Sequence, residues 1–135
     1  MTRHVEIVRG PIDLQPWTVR LTTPECGAVS SFLGVVRNEA GGRAVQAIEY
    51  TCYEDMATKE LEDVVRRATE KHGVAHAAVV HRVGRLAVGE ASLGVVVAAG
   101  HRREAILCVL EIIDELKKSV PIWKKEFGPD GSWWV

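Results

Sequence analysis

The chain has 135 residues, a near-balanced charge (17 Lys and Arg against 18 Asp and Glu, formal net charge -1) and 47% hydrophobic residues. That is the length of a single domain, residues 1–135, which buries about two-thirds of the surface its unfolded chain exposes and needs no metal or disulfide staple. The charge balance excludes a nonspecific nucleic-acid binder but not a local phosphate pocket, and no apolar run reaches the roughly 18 residues that span a bilayer.

Residues 3–9 read as a short strand with Val5 and Ile7 on one face, ended by Gly10-Pro11. Asp13 is placed to cap a short helix through Leu21. Residues 28–37 form the next strand, and Asn38 to Gly42 read as a flexible loop able to close over a ligand. Residues 44–53 are a strand with Val45, Ala47, Glu49 and Thr51 on one face. Met56 to His72 has helical periodicity, with Met56, Leu61, Val64, Val65 and Ala68 as its apolar side and Gly73 as its stop.

Residues 74–83 are a strand, followed by turns at Gly84-Arg85-Leu86 and Val88-Gly89-Glu90. Ser92 to Gly100 is a continuous apolar strand buried on both faces. His101 to Lys118 is the second long helix, stopped by Pro121. Ile122 to Phe127 is extended, and Trp133-Trp134-Val135 pairs at a sheet edge after a turn. The order of elements gives an α+β domain with roughly five main strands and two long helices.

Several chemistries are absent. The sequence has no G-x-G-x-x-G, no G-x-x-x-x-G-K-[ST] and no G-x-S-x-G. Cys26, Cys52 and Cys108 form no C-x-x-C pair, and the N-terminus has no apolar signal core. Three reduced thiols in a cytoplasmic protein are the expectation. His72, His76 and His81 lack metal-ligand spacing.

What remains is basic. At about 100° per residue, Ile106, Val109, Leu110, Ile113 and Leu116 share one arc of the second helix. Lys117 falls on the side of Ile106, Leu110 and Ile113, whereas Lys118 falls with Glu104, Glu111 and Asp114. Lys117 therefore either presents its amine at the rim of a cavity or snorkels to water at the helix end. Past Pro121, Ile122, Lys124 and Glu126 share one strand face, and Trp123, Lys125 and Phe127 the other. Alternation alone does not choose between Lys124 and Lys125. Arg37 ends a strand beside the glycine-containing loop, a common place for a binding side chain. His101 and Arg102 stand at a helix start, where free backbone N–H groups add to their charge.

The segments F-L-G-V-V-R-N (32–38), I-E-Y-T-C-Y-E-D-M-A (48–57), H-R-V-G-R-L-A-V-G-E (81–90), G-H-R-R-E-A (100–105) and I-D-E-L-K-K-S-V-P-I-W-K-K-E (113–126), with G-S-W-W-V (131–135), occur in one chain. In that order they resemble the large, catalytic subunit of molybdopterin synthase, the MoaE family. The resemblance implies an α/β hammerhead fold with a mainly antiparallel sheet and two long helices. It implies a homodimer that binds two small ubiquitin-like sulfur-carrier subunits, MoaD-like, to give a heterotetramer. The carrier's C-terminal Gly-Gly thiocarboxylate would supply sulfur to cyclic pyranopterin monophosphate (precursor Z) to form the molybdopterin dithiolene.

The same resemblance implies Lys117 and Lys124 as catalytic residues. It implies Arg37, His101 and Arg102 as residues of an anionic substrate pocket that draws on both large subunits. No cofactor or metal is implied, because sulfur arrives on the protein partner. Two departures stand out: Thr51 replaces a carboxylate common in the family, and a basic C-terminal tail common in relatives is missing after Val135. The reading from another class is a noncatalytic module that holds a protein C-terminus or a phosphorylated ligand.

Overall fold

The apolar run of the sequence becomes the centre of the fold in a computed structural model that describes residues 1–135. Strand β8 (Ala91–Ala99) is buried along nearly its whole length. Its pleat sends Leu93, Val95, Val97 and Ala99 to one side and Val96 and Ala98 to the other. β8 pairs antiparallel with β6 (His76–Arg82) on one flank and β2 (Ala28–Val35) on the other. β1 (Thr2–Val8) adds parallel to β6, which leaves β1 and β2 as the edges.

Helices cover both faces of this sheet. α2 (Glu54–His72) and α3 (Arg102–Ser119) pack on one face around a core of 16 buried residues. α1 (Gln15–Leu21) covers β6 and β8 on the other face through Leu14, Trp17 and Leu21. Asp13 assists the start of α1 from one residue outside the expected place: Leu14 is the cap, and the Asp13 carboxylate accepts the Gln15 N–H at 3.0 Å. No helix is long and apolar enough to cross a membrane.

A second four-stranded sheet runs β10 (Gly131–Trp134), β9 (Ile122–Gly128), β5 (Ala47–Cys52), β7 (Gly84–Ala87), antiparallel throughout. Only Val36, Val45, Ile48 and Leu86 form its buried cluster. The chain crosses from the first sheet to the second between β6 and β7. Gly84 there and Gly89 in the following turn have φ of 98° and 89°, a region that side-chain-bearing residues avoid. Arg82 bonds Glu90 at 2.9 Å, and Glu90 also accepts the Ala87 N–H at 2.7 Å. The H-R-x-G-x-L-x-x-G-E segment thereby ties the two sheets at their junction.

Four expectations are corrected. Gly84-Arg85-Leu86 belongs to strand β7, because it completes the ladder of β5. Asn38 to Gly42 is mostly a hairpin rather than a loose loop. β3 (Glu39–Ala40) and β4 (Arg43–Ala44) flank Gly41-Gly42, whose φ of 57° and 79° make a two-residue turn of the kind that closes hairpins. Met56 is exposed, and Ala57 takes its place against the core. On α3 the buried line is Ala105, Cys108, Val109, Ile112 and Leu116. Ile106 and Leu110 are 55% and 53% exposed, so the apolar arc of the sequence is wider than the face the chain covers.

The second sheet is pinned by one buried charge. Glu126 is 2% exposed. Its carboxylate accepts the Trp133 indole N–H at 2.7 Å and pairs with Arg43 at 3.3 Å. The Arg43 guanidinium also lies 4.5 Å from the Trp133 ring centre, so one acid joins β9, β10 and the 39–44 hairpin. Glu126→Ala strands the indole N–H and is expected to cost about 1–3 kcal/mol. The check is a lowered urea midpoint at unchanged slope.

Candidate functional site

The end of α3 and the start of β9 meet above the first sheet. His81, Leu93 and Gly34 form a row across β6, β8 and β2. They lie on the face that α3 covers, since Leu93 belongs to the core shared with α3. Leu116, Lys117 and Val120 come down over this row from the helix end, and Ile122 and Lys124 approach from β9. Together they bound a cleft of about 460 Å³ that is also lined by Phe32, Arg37, Tyr50 and Ser92. A Cβ on Gly34 would lie 3.2 Å from the Phe32 ring, so glycine is what lets that ring settle against the sheet.

The structure places the sequence candidates in two groups. Arg37, Lys117 and Lys124 line this one cleft. His101 and Arg102 do not; they are exposed at the opposite end of α3. Arg102 is about 22 Å from Lys117 along the helix, at 1.5 Å per residue. The choice that strand alternation left open is also resolved. Lys124 faces the cleft, while the Lys125 ammonium sits 5.4 Å from the Trp134 ring centre and 5.6 Å from that of Phe127. Lys118 is exposed beside Glu115.

The cleft's charge is one-sided: it has Arg37, Lys117 and Lys124, and no carboxylate among its lining side chains. A groove of similar volume between β1 and α2 makes the contrast. There Arg3, Lys59 and Arg66 are matched by Glu60, Glu62 and Asp63, and Arg66 is bonded to Asp63. Paired charges satisfy one another; three cations converging without an Asp or Glu side chain favour an anionic ligand.

Two residues of the cleft escaped the sequence reading, Tyr50 and His81. Their rings stand edge to face at 5.4 Å. Tyr50 pairs with Lys124 in the β5–β9 ladder, so strand register places all three together. The H-R pair that opens the 81–90 segment was the one available signal, and it does not say which way the imidazole turns.

Other polar clusters are not catalytic centres. The ligand atoms of Glu25, Cys26 and His76 lie within 4.8 Å of one another. The His76 Nδ1 accepts the Thr2 N–H at 2.9 Å, so Nε2 carries the proton and donates to the Thr23 hydroxyl at 3.0 Å. An imidazole used at both nitrogens has no lone pair for a metal. No thiol lines the cleft. Cys108 is fully buried, and burial pushes its thiol up to about 12. Burial, then the nearby Glu54, raises Cys52. The expected outcome for Cys52→Ala and Cys108→Ala is wild-type turnover, with Cys108→Ala less stable by about 1 kcal/mol. Parallel activity assays and thermal melts check this.

Known proteins resemble this chain along most of its length. The family model described as MoaE protein matches residues 7–119. A molybdopterin synthase catalytic subunit from Dictyostelium discoideum is 42% identical over 130 residues, covering 95% of this chain and 82% of that protein. The crystal structure of molybdopterin synthase from Staphylococcus aureus superposes with a TM-score of 0.91 at 34% identity, over 96% of this chain and 95% of that one. A chain from the complex of subunits 1 and 2 of molybdopterin-converting factor from Helicobacter pylori shares the fold. Its TM-score is 0.80 at 23% identity, over 97% of this chain and 89% of that one.

Proposed function

Because this chain belongs to the MoaE family, we infer that it is the catalytic subunit of a molybdopterin synthase. It transfers sulfur from the thiocarboxylated C-terminus of a small ubiquitin-like carrier subunit to cyclic pyranopterin monophosphate, forming the molybdopterin dithiolene. The observation that carries the site assignment is the cleft where Arg37, Lys117 and Lys124 converge with no Asp or Glu side chain among its lining residues.

The chemistry suits these groups. The substrate carries a phosphate, and the donor is a thiocarboxylate. Arg37 orients the phosphate through its planar fork of donors. Lys117 and Lys124 hold the two reactants and stabilise negative charge as sulfur bonds to the pterin side chain. No metal or redox cofactor enters this sequence of steps, since the sulfur is delivered already activated. The carrier's Gly-Gly tail reaches the cleft from outside the chain.

His101 and Arg102 join the site from a second copy. β2 is an edge strand with Val29, Leu33 and Val35 exposed, and α3 leaves Ile106 and Leu110 uncovered. Such an edge and patch favour a self-complementary contact. Ala28 at the start of β2 pairs with Ala99, just before His101, and Val35 at its end lies just before Arg37. A two-fold axis that lays two β2 strands antiparallel sets the start of one beside the end of the other. That arrangement supports a homodimer, within a heterotetramer, in which each cleft takes His101 and Arg102 from the neighbouring large subunit.

Thiocarboxylated carrier and precursor Z, mixed with the protein and assayed for molybdopterin, test the activity; tight carrier binding without product would favour a noncatalytic module. Lys117→Ala and Lys124→Ala are each expected to lower product formation by about 10²-fold or more with carrier binding retained. Lys118→Ala and Lys125→Ala stay near wild type. Normal turnover by both cleft variants would overturn the assignment.

Shared sites make a second prediction. Lys117→Ala and Arg102→Ala chains, each inactive alone, regain activity when co-assembled, to roughly a quarter of wild type, because half the dimers carry one intact site. Absence of complementation places Arg102 outside the site.

A further inference from the structure

The cleft contains a histidine with no task in the steps above. His81 is the penultimate residue of β6 and is 5% exposed. Its Nδ1 lies 2.9 Å from the Arg82 carbonyl oxygen. A carbonyl only accepts, so Nδ1 carries the proton and Nε2 holds the lone pair. The buried side-chain polar atoms without a partner are His4 Nε2 and Arg82 Nε. His81 Nε2 is therefore open to the cleft its ring lines.

The composition of the cleft sharpens this. The titratable side chains that line it with His81 are Arg37 after β2, Tyr50 from β5, Lys117 from α3 and Lys124 from β9, and Val135, the last residue, borders it beside Lys124. Among these side chains, histidine is the type suited to accept a proton in neutral solution. Burial pushes the His81 imidazole below the usual histidine range, against the opposing pull of the Arg82 carbonyl. No Asp or Glu side chain lines the cleft to favour its charged form.

We propose that His81 is the proton acceptor that frees the transferred sulfur from the carrier, a role that rests on the sulfur-transfer reading above. Once the thiocarboxylate sulfur has bonded to a pterin carbon, a thioester joins the carrier's acyl carbon to the pterin. Water attacks that acyl carbon. The new C–O bond forms as Nε2 takes one proton from the water. The C–S bond breaks, and its electron pair leaves with the sulfur as a pterin thiolate. The carrier departs as a carboxylate, its acid proton passing to solvent, and the imidazolium then releases its own proton. Nothing is oxidised or reduced. Lys117 and Lys124 stabilise the oxyanion and the thiolate.

The test is His81→Asn, whose amide can still donate to the Arg82 carbonyl. Turnover is expected to fall about 10²-fold with carrier binding unchanged. Intact-mass spectra of the carrier should show a pterin thioester accumulating, an outcome that mere misplacement of the lysines would not give. In the wild type the rate is steady at neutral pH and declines as pH is lowered below the usual histidine range, since burial disfavours the charged imidazole; in the variant this acid limb flattens. If His81→Asn melts early, His81→Ala assayed with and without imidazole replaces it, with rescue by imidazole expected. A folded variant with wild-type rate and pH profile, or no rescue, overturns the role of His81 alone. A wild-type protein that makes no molybdopterin overturns the sulfur-transfer reading and this role with it.

Discussion

The cleft depends on β9 being held in one register against β5. Pro121 ends the helical path after Ser119, and β9 begins at Ile122, with Cys52 opposite Ile122 and Tyr50 opposite Lys124. Side chains alternate along a strand, so a slip of one residue would turn Lys124 away and send Lys125 inward. Glu126 resists that slip. It shares Lys124's face, and its carboxylate is buried between the Trp133 indole and Arg43. Moving it to the other face would strip a charge of both partners. The position of the Lys124 amine is thus set by a carboxylate two residues away.

The acids of the frame are consumed in tying elements together, and this leaves the cations of the cleft uncompensated. Glu90 is held below the usual carboxylate range by the Ala87 N–H and then by Arg82, at the junction of the sheets. Glu111 is lowered chiefly by Lys71, with His72 adding, and so links α3 to α2. The 81–90 segment divides the same way. Arg82, Gly84, Gly89 and Glu90 build the crossing between sheets, and only His81 turns to the cleft. A run of residues that reads as one motif serves two physical ends.

Much of this was legible in the chain. The long helices, the doubly buried strand and the fold class follow from apolar period and from glycine and proline placement. The family likeness, which the comparisons bear out, carried Lys124. The errors have physical causes. Helical period marks every apolar residue, so it merged the covered line through Ile112 with the uncovered Ile106 and Leu110. β7 is four residues long, too short to show alternation, and exists because β5 offers it a ladder. The expected loop contains a hairpin because two adjacent glycines turn it. His81 is weighed in the sequence only for metal-ligand spacing, and strand position does not say which way its ring turns; pairing with Leu93 and Tyr50's ring reveal what it faces.

The two sheets are unequal in what holds them. The first shares a core of 16 buried residues with its helices, and the second has a cluster of four. Lys117 hangs from the heavier body and Lys124 from the lighter one. Opening of the lighter sheet costs less than global unfolding. Backbone amides of β9 and β10 are therefore expected to exchange with solvent deuterium through a partial opening that leaves β8 protected. The seam between a larger and a smaller core runs between the two lysines, so the cleft's geometry can open while most of the native structure persists.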